Sequence, residues 1–417
     1  MEQFSQQAKR ISITLFSGQS LASAGFITAA TLNSIVGAKL GGSASWAGVP
    51  SAVYLLGGAL AAYIWGYLMD AWGRRGGLVA GLLIGAIGAG LTFQAIALGS
   101  LPIFLTGMVL MGIANSAVTL GRFAAAEVHP PQARGRAISN VVLGGAVGAI
   151  LGPLLVGPMG ELAKSQGFNE LSGGYIASGA LFLFACLTVF AGLRPDPRDL
   201  GREIAQLYPE TAKLSGVTRS IGQILRQPAA IIAVMAMVLG QMVMVMVMVI
   251  TALHMRSHQH SLGSVSLVIS SHTFGMFGFS VISGRLADRW GRGAVIIIGS
   301  ATLLLSCLAA IISPQVLPLA VSLFLLGLGW NFCFVGGSTL LADQLSPPER
   351  ARTQGFNDLL VGMASATASL SSGLIFATLG YAIMGLAGAA FSVIPLLAAS
   401  LWMKGLNRGP LPALPSS

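Results

Sequence analysis

Charged side chains are scarce along this chain. Asp, Glu, Lys and Arg make up only 9% of its 417 residues, whereas hydrophobic residues make up 54%. A soluble domain carries about 25% charged residues, so the composition excludes an ordinary soluble protein. Apolar runs long enough to cross a bilayer recur about twelve times, which predicts an all-α membrane protein embedded in lipid. The predicted spans are 11–38, 47–69, 78–98, 102–124, 137–158, 173–193, 228–253, 263–284, 294–312, 316–340, 353–376 and 380–402.

Cysteines and catalytic motifs are equally sparse. The three cysteines, Cys186, Cys307 and Cys333, lie within predicted spans. An odd number of them argues against a disulfide framework, and small apolar packing residues are the simpler interpretation. The sequence contains no phosphate-binding loop, no nucleophile with a base and no carboxylate pair typical of a cleft. We therefore expect neither an enzyme nor a prosthetic group.

Acidic residues are outnumbered, with 13 Asp and Glu against 23 Lys and Arg and a net charge of +10. A basic excess can indicate nucleic-acid binding, but its distribution favours membrane topology. With the N-terminus in the cytoplasm, 20 of the 23 basic residues, Arg122 among them, fall on the cytoplasmic side, leaving Lys39, Lys164 and Arg256 outside. The positive-inside rule therefore predicts cytoplasmic termini and no nucleic-acid partner. Residues 1–10 are too polar for a cleaved signal peptide, and we expect a monomer.

Two loop sequences occur twice. GYLMDAWGRR, residues 66–75, returns as GRLADRWGR, residues 284–292, and places Asp70 and Asp288 218 residues apart. EVHPPQARGRAISN, residues 127–140, corresponds to DQLSPPERARTQGFN, residues 343–357, and Arg134 and Arg350 are 216 apart. These repeats predict two copies of one six-helix unit, a bundle at 1–193 and a bundle at 228–417. A charged cytoplasmic linker at 194–227 joins them.

The repeated loops have a definite chemistry. Their glycines permit a tight turn, and Asp70 can cap a nearby helix N-terminus. Their arginines can bind the acidic residue of the neighbouring loop, Glu127 or Asp343. We expect these charges to hold the cytoplasmic side closed, although they could also serve only as topology anchors. The predicted gating residues are Asp70, Arg74, Arg75, Glu127, Arg134, Asp288, Arg292, Asp343 and Arg350.

Polar side chains at membrane depth are costly and are therefore functional candidates. His272 and Asp358 are the ionisable ones, and we expect one of them to take up a proton during the cycle. The alternatives are a histidine hydrogen-bonded inside the bundle and a helix-end carboxylate that pairs with a loop arginine. Neutral candidates include Gln19, Asn33 and Gln94; those expected to line a central cavity are Tyr54, Asn115, Gln241 and Asn331.

Methionine and histidine recur at helical spacing near the middle of the membrane. Met244 and Met248 share one helix face, as do His272 and Met276 on the next helix. Counted inward from their shared loop, Met244 and His272 both lie roughly 14 Å deep in a hydrocarbon core ~30 Å thick. Thioethers and imidazole suit Cu(I), but helix geometry alone favours methionine as a packing residue.

The G-x-L-x-D-x-x-G-R loop, present in both halves and followed by a second arginine in the first, resembles the signature of the major facilitator superfamily. The resemblance covers the whole chain and implies two pseudo-symmetric six-helix bundles around a midplane cavity that works by alternating access. The antiporter branch has a G-x-x-x-G-P motif, which residues 148–153 satisfy. The glycines expected after it are replaced by Leu154, Leu155 and Val156, and Met108 stands where an arginine is usual. The drug-efflux signature is therefore incomplete.

The M-x-x-x-M and H-x-x-x-M pairs resemble those of the CcoA-like copper importers. The resemblance implies that Met244, Met248, His272 and Met276 bind copper as transported substrate. It also implies import across a bacterial inner membrane for assembly of a cbb3-type cytochrome oxidase. A periplasmic loop with His254, His258 and His260 could then collect copper, or be merely solvated. The alternatives are a proton-coupled transporter of a small organic molecule, either a drug-type exporter or a riboflavin-like uptake system, and a non-transporting receptor or metallochaperone.

Overall fold

The computed structural model describes residues 2–130, 133–207 and 219–406, and these residues form helices joined by short loops, with no strand among them. Two 3-10 segments, Ala44–Trp46 and Gly152–Leu155, supplement the α-helices. The helices are α1 Glu2–Gly41, α2 Val49–Leu98, α3 Leu101–Glu127, α4 Arg134–Leu151, α5 Val156–Ser165, α6 Ser172–Gly192, α7 Pro197–Leu207, α8 Ile221–Ile224, α9 Pro228–Ser257, α10 Leu262–Phe277, α11 Ser280–Trp290, α12 Arg292–Ala310, α13 Val316–Asp343 and α14 Pro347–Leu406.

Ten helical segments of the described chain are long and apolar enough to cross a membrane. Two of them, residues 44–98 and 352–405, contain 55 and 54 residues, more than twice the ~20 that one crossing needs. Each bends at a glycine with positive φ, Gly73 at +85° and Gly380 at +80°, a conformation that other residues rarely adopt. Counted twice, these two segments and the other eight give twelve crossings. The predicted all-α, twelve-span fold is confirmed.

The two limbs of α2 pack against the same helix. A Cβ atom added at Gly58 would lie 3.0 Å from the carbonyl oxygen of Gly112, and one added at Gly88 would lie 2.8 Å from that of Gly107. Positions 58 and 88 therefore meet one short stretch of α3, which requires the chain to turn back at Gly73. Such close approach of backbones is typical of membrane helices, where small residues replace the hydrophobic effect as the basis of association.

Contacts between residues 2–193 and 228–406 concentrate on one side of the membrane. We name the side that carries the loops at residues 70–75 and 288–292 the basic side. Between described residues, three hydrogen bonds join the two halves, all on the opposite side or at mid-depth. They run from Arg256 to Glu170, from Ser369 to the Gly48 carbonyl at 2.7 Å and from Ser270 to the Ile150 carbonyl at 3.3 Å. Within the described residues, no hydrogen bond or ion pair joins the halves on the basic side.

The linker is attached to both halves. Near its start, the carboxylate of Asp196 accepts hydrogen bonds from the backbone N–H groups of Arg74 and Arg75, both at 3.0 Å. Near its end, the Arg219 guanidinium binds the buried carboxylate of Glu349 at 2.8 Å. This guanidinium and two backbone N–H groups hold the pKa of Glu349 well below its ordinary value. The carboxylate therefore stays ionised and bound at neutral pH, while residues 208–218 lie outside the described chain.

The close approach at Gly112 predicts a stability effect. A Cβ atom there would lie 2.0 Å from the Tyr54 carbonyl oxygen, so Gly112→Ala must push α2 and α3 apart. We expect a loss of about 1–3 kcal/mol, seen as a lower melting temperature of the purified protein in detergent. Gly90→Ala is the matched control, because nothing lies within 4 Å of that position and alanine favours helix. Equal melting temperatures for the two variants would contradict the packing argument.

Candidate functional site

A cavity of about 510 Å³ lies between the two halves. Helices α1 to α4 of the first half and α9 and α10 of the second contribute its walls. Its lining reaches Gln19 and Arg122 toward the basic side and Asn33 and Ser51 toward the opposite side. Among the described residues, the hydrogen bonds between the halves lie on the opposite side and at mid-depth, so the cavity has its opening on the basic side.

Met244, Met248, His272 and Met276 all line this cavity. His272 is fully buried, and its Nδ1 lies 3.0 Å from the carbonyl oxygen of Leu323. A carbonyl only accepts hydrogen bonds, so Nδ1 carries the proton and Nε2 keeps its lone pair. Nε2 is buried and has no hydrogen-bond partner in the described chain. The imidazole is thus oriented by one nitrogen and offers the other as an acceptor or ligand.

Two predicted cavity residues lie outside the lining. Asn331 donates from Nδ2 to the Met276 carbonyl at 2.7 Å and to Ser280 at 2.9 Å. It thereby supports the break between α10 and α11, where helix hydrogen bonding is interrupted and lipid supplies no substitute. Gln241 accepts from the Trp330 indole N–H at 2.6 Å and donates to Ser365 at 3.0 Å. Both amides connect helices of the second half and do not face the cavity.

The first half supplies the polar part of the lining. Tyr54 and Asn115 line the cavity together with Gln19 and Asn33. Along α3 the lining residues follow a single helix face at spacings of three and four residues. They are Met108, Met111, Asn115, Thr119 and Arg122. The distribution of basic residues placed Arg122 only at the cytoplasmic surface and did not predict its position in the cavity lining. Its helical register with Asn115 is the sequence signal that places both residues on one helix face.

The repeated loops form equivalent charge clusters. Arg74 binds Asp70 at 2.7 Å and Glu127 at 2.6 Å. Arg292 binds Asp288 at 3.1 Å and Asp343 at 3.0 Å. Each cluster lies within one half and is formed although the described part of the chain has no polar contact between the halves on the basic side. The expectation that these ion pairs hold that side closed does not apply to this conformation, in which they brace loops within each half.

Other loop residues have separate roles. Asp70 does not cap the following limb of α2; Asp196 of the linker takes that place. Arg75 donates to the Phe190 carbonyl at 3.0 Å and lies over its ring at 4.4 Å. Arg134 makes a long contact, 3.4 Å, to the His129 carbonyl. Arg350 is exposed and forms no ion pair within the described residues, whereas its neighbour Glu349 binds the linker.

Asp358 does not line the cavity. Its side chain is exposed on α14 and accepts a hydrogen bond from Gln354 at 3.1 Å. This position fits the alternative of a charge near the helix end. The ionisable groups of the described lining are then the imidazole of His272, the phenol of Tyr54 and the guanidinium of Arg122. Of these three groups, imidazole is the one that titrates near physiological pH.

The three loop histidines make different contacts. The His254 ring stacks on Tyr381 with centroids 4.0 Å apart, and His258 packs edge-on against His254 at 4.5 Å. His260 Nε2 lies 2.9 Å from the Pro314 carbonyl oxygen. No group of three or more His, Cys, Asp or Glu side chains in the described chain could hold a metal. In this conformation the three rings make separate contacts, and copper capture by this loop stays a prediction.

The Arg256–Glu170 ion pair joins the halves on the opposite side, so its removal should weaken closure there. We expect Glu170→Arg to raise the labelling rate of a cysteine placed at Ser51 by about two- to fivefold, the range of a partly exposed pair. A membrane-impermeant thiol reagent applied from the opposite side provides the measurement. The exchanged pair, Glu170→Arg with Arg256→Glu, should restore the original rate. Unchanged labelling in the single variant would contradict this role.

Comparisons with known proteins agree with this architecture. The family model described as Major Facilitator Superfamily matches residues 15–258 and 233–416. The MFS-type transporter YdeG of Bacillus subtilis is 34% identical over 399 residues, covering 95% of this chain and 92% of its own. The riboflavin transporter RfnT of Brucella anthropi is 29% identical over 374 residues, covering 90% and 91%. The crystal structure of the nucleoside transporter NupG has the same fold, with a TM-score of 0.71, 17% identity and coverage of 95% and 99%. The chain is a secondary transporter that belongs to the major facilitator superfamily.

Proposed function

We propose that this protein takes up a small organic molecule across a bacterial inner membrane by alternating access of its central cavity. The observation that carries the proposal is the cavity itself, whose volume of about 510 Å³ falls within the ~300–1,000 Å³ typical of small-molecule sites. A bare metal ion needs only a small fraction of that space. Copper, the substrate implied by the methionine and histidine motifs, is therefore the second candidate.

The chemistry of the lining suits an aromatic molecule with a polar end. Phe26 and Tyr54 pack with ring centroids 6.2 Å apart on one wall, and the thioethers of Met244 and Met248 lie on another. Aromatic rings and polarisable sulfur both favour planar heterocycles. The relative RfnT is named a riboflavin transporter, which makes riboflavin the first substrate to test.

Two features support uptake and a cytoplasmic basic side. The antiporter motif lacks its paired glycines, and Gly148 serves to pack α4 onto α1, where an added Cβ would lie 1.9 Å from the Ser20 carbonyl oxygen. The distribution of Lys and Arg assigns the basic side to the cytoplasm. On that assignment the cavity faces the compartment into which substrate is released.

Proton coupling is assigned to His272. A proton-coupled cycle needs a titratable group at membrane depth beside the substrate path. Imidazole titrates near physiological pH, and the unpartnered Nε2 of His272 can accept a proton while Nδ1 remains bonded to Leu323. His272→Gln should therefore make transport insensitive to a pH gradient.

The copper candidate rests on one specific observation, the presence of Met244, Met248, His272 and Met276 on the same cavity. Neutral sulfur ligands and a free imidazole nitrogen suit Cu(I) without any carboxylate. In this case the imported metal would supply cytochrome oxidase assembly, as the motif resemblance implies.

Riboflavin counterflow into proteoliposomes tests the main proposal. Tyr54→Ala should weaken the apparent affinity about tenfold, because it removes buried aromatic surface from the cavity wall. Tyr63→Ala is the matched control, since Tyr63 is 72% exposed and lies outside the lining. Absence of riboflavin counterflow by the wild type would remove riboflavin as substrate. Equal affinity in both variants would remove Tyr54 from the riboflavin-binding wall.

A methionine-to-leucine exchange separates the two candidates. Met244→Leu combined with Met248→Leu nearly conserves side-chain volume but deletes both thioethers. We expect riboflavin transport by this double variant to stay within about twofold of wild type, as for a volume-conserving substitution. We expect copper accumulation by both the wild type and the variant to equal that of protein-free liposomes. Copper accumulation that the wild type supports and the leucine variant loses would establish the copper candidate in its place.

A further inference from the structure

The cavity face of α3 changes character along its length. Met108 and Met111 make its inner part apolar, whereas Asn115, Thr119 and Arg122 make the part nearer the basic side polar. Arg122 lies five residues before the end of the helix at Glu127, a depth of roughly 7 Å. Its register places it on the cavity face together with Asn115.

The guanidinium of Arg122 has no anionic partner. It forms no ion pair or hydrogen bond within the described chain, and its Nε is buried and unsatisfied. The guanidinium carbon lies 4.9 Å from the centroid of the Phe123 ring. The nearest carboxylate on the same helix, Glu127, is already bound by Arg74.

The lining offers this charge no compensation. The described lining contains no Asp or Glu, so Arg122 carries the fixed charge of the cavity alone. Arg122 is half-buried, and a guanidinium is a permanent positive charge. A partly desolvated charge is stabilised by a counter-charge and hydrogen bonds. The planar fork of N–H donors matches the two oxygens of a carboxylate or phosphate.

We infer that Arg122 is the binding subsite for an anionic oxygen group of the transported molecule, whose natural substrates are thus organic anions with an aromatic body. The carboxylate or phosphate lies toward the basic side at Arg122, and the apolar body lies deeper, between Tyr54, Met111 and Met244. This inference rests on the proposed function and narrows its substrate class. His272 stays free to titrate, because the fixed positive charge and the titratable group belong to different halves.

Two probe pairs test the inference on the purified full-length protein by isothermal titration calorimetry. Flavin mononucleotide and riboflavin share one body and differ by a phosphate, and 2-naphthoate and 2-naphthamide differ by the charge of a carboxylate. We expect the anion of at least one pair to bind about tenfold more tightly than its neutral counterpart, as for a charge-assisted hydrogen bond. The pair that shows the preference identifies the group as phosphate or carboxylate.

Arg122→Gln should abolish this preference and leave the neutral probe unchanged, while Arg122→Lys should retain part of it because the charge remains but the fork is lost. Arg136→Gln is the matched control, since Arg136 is exposed and outside the lining. An anion preference that survives in Arg122→Gln, or equal binding of both members of each pair by the wild type, overturns the subsite and leaves the proposed function standing. Failure of all four probes to bind overturns both.

Discussion

Direct backbone contact between the two halves on the opposite side is the constraint on which the cavity depends. A Cβ atom at Gly48 would lie 1.6 Å from the Ser369 carbonyl oxygen, so no side chain separates the backbones of the two halves there. The Ser369 hydroxyl also donates to the Gly48 carbonyl. A seal made of main chain and small side chains excludes water without interlocking large residues. It can therefore break and reform as a unit, as alternating access requires.

The charged residues that brace the loops are separate from those that face the cavity. Ion pairs centred on Arg74 and Arg292 brace the loops of each half at the membrane surface. Inside the cavity, one residue with a fixed charge, Arg122, and one titratable residue, His272, stand on different halves. A bound molecule that touches both would sense the protonation state of one half from the other. Such contact between halves is how substrate binding can bias a rigid-body movement.

Much of this arrangement follows from sequence patterns. Hydropathy and the repeated loops predicted twelve crossings, and i,i+4 spacing put Met244 and Met248 on the face that meets the cavity. Such patterns do not predict interactions between residues that lie far apart in the sequence. Asp196 binds the backbone of Arg74 across 122 positions, and no local signal reveals that cap. The break after Phe277, which gives Asn331 its partners, is invisible to a hydrophobicity profile.

Arg122 shows a different limit. Counting basic residues by membrane side located it correctly near one surface but said nothing about the face of α3 on which it lies. The substrate was harder still, because a methionine at helical spacing serves packing, copper binding or aromatic recognition equally well. Residue spacing cannot separate these possibilities, because the shape of the cavity depends on how all the helices pack.

Distances between spin-label pairs test most directly the claim that one cavity exchanges access between the two sides. One pair, at the exposed positions Gln166 and Gln259, spans the halves on the opposite side; the other, at the exposed positions Arg136 and Arg285, spans the basic side. Under transport conditions we expect two populations of molecules. In one of them the first distance is longer and the second distance is shorter than in the other. Distances that stay fixed, or that lengthen together, would contradict it.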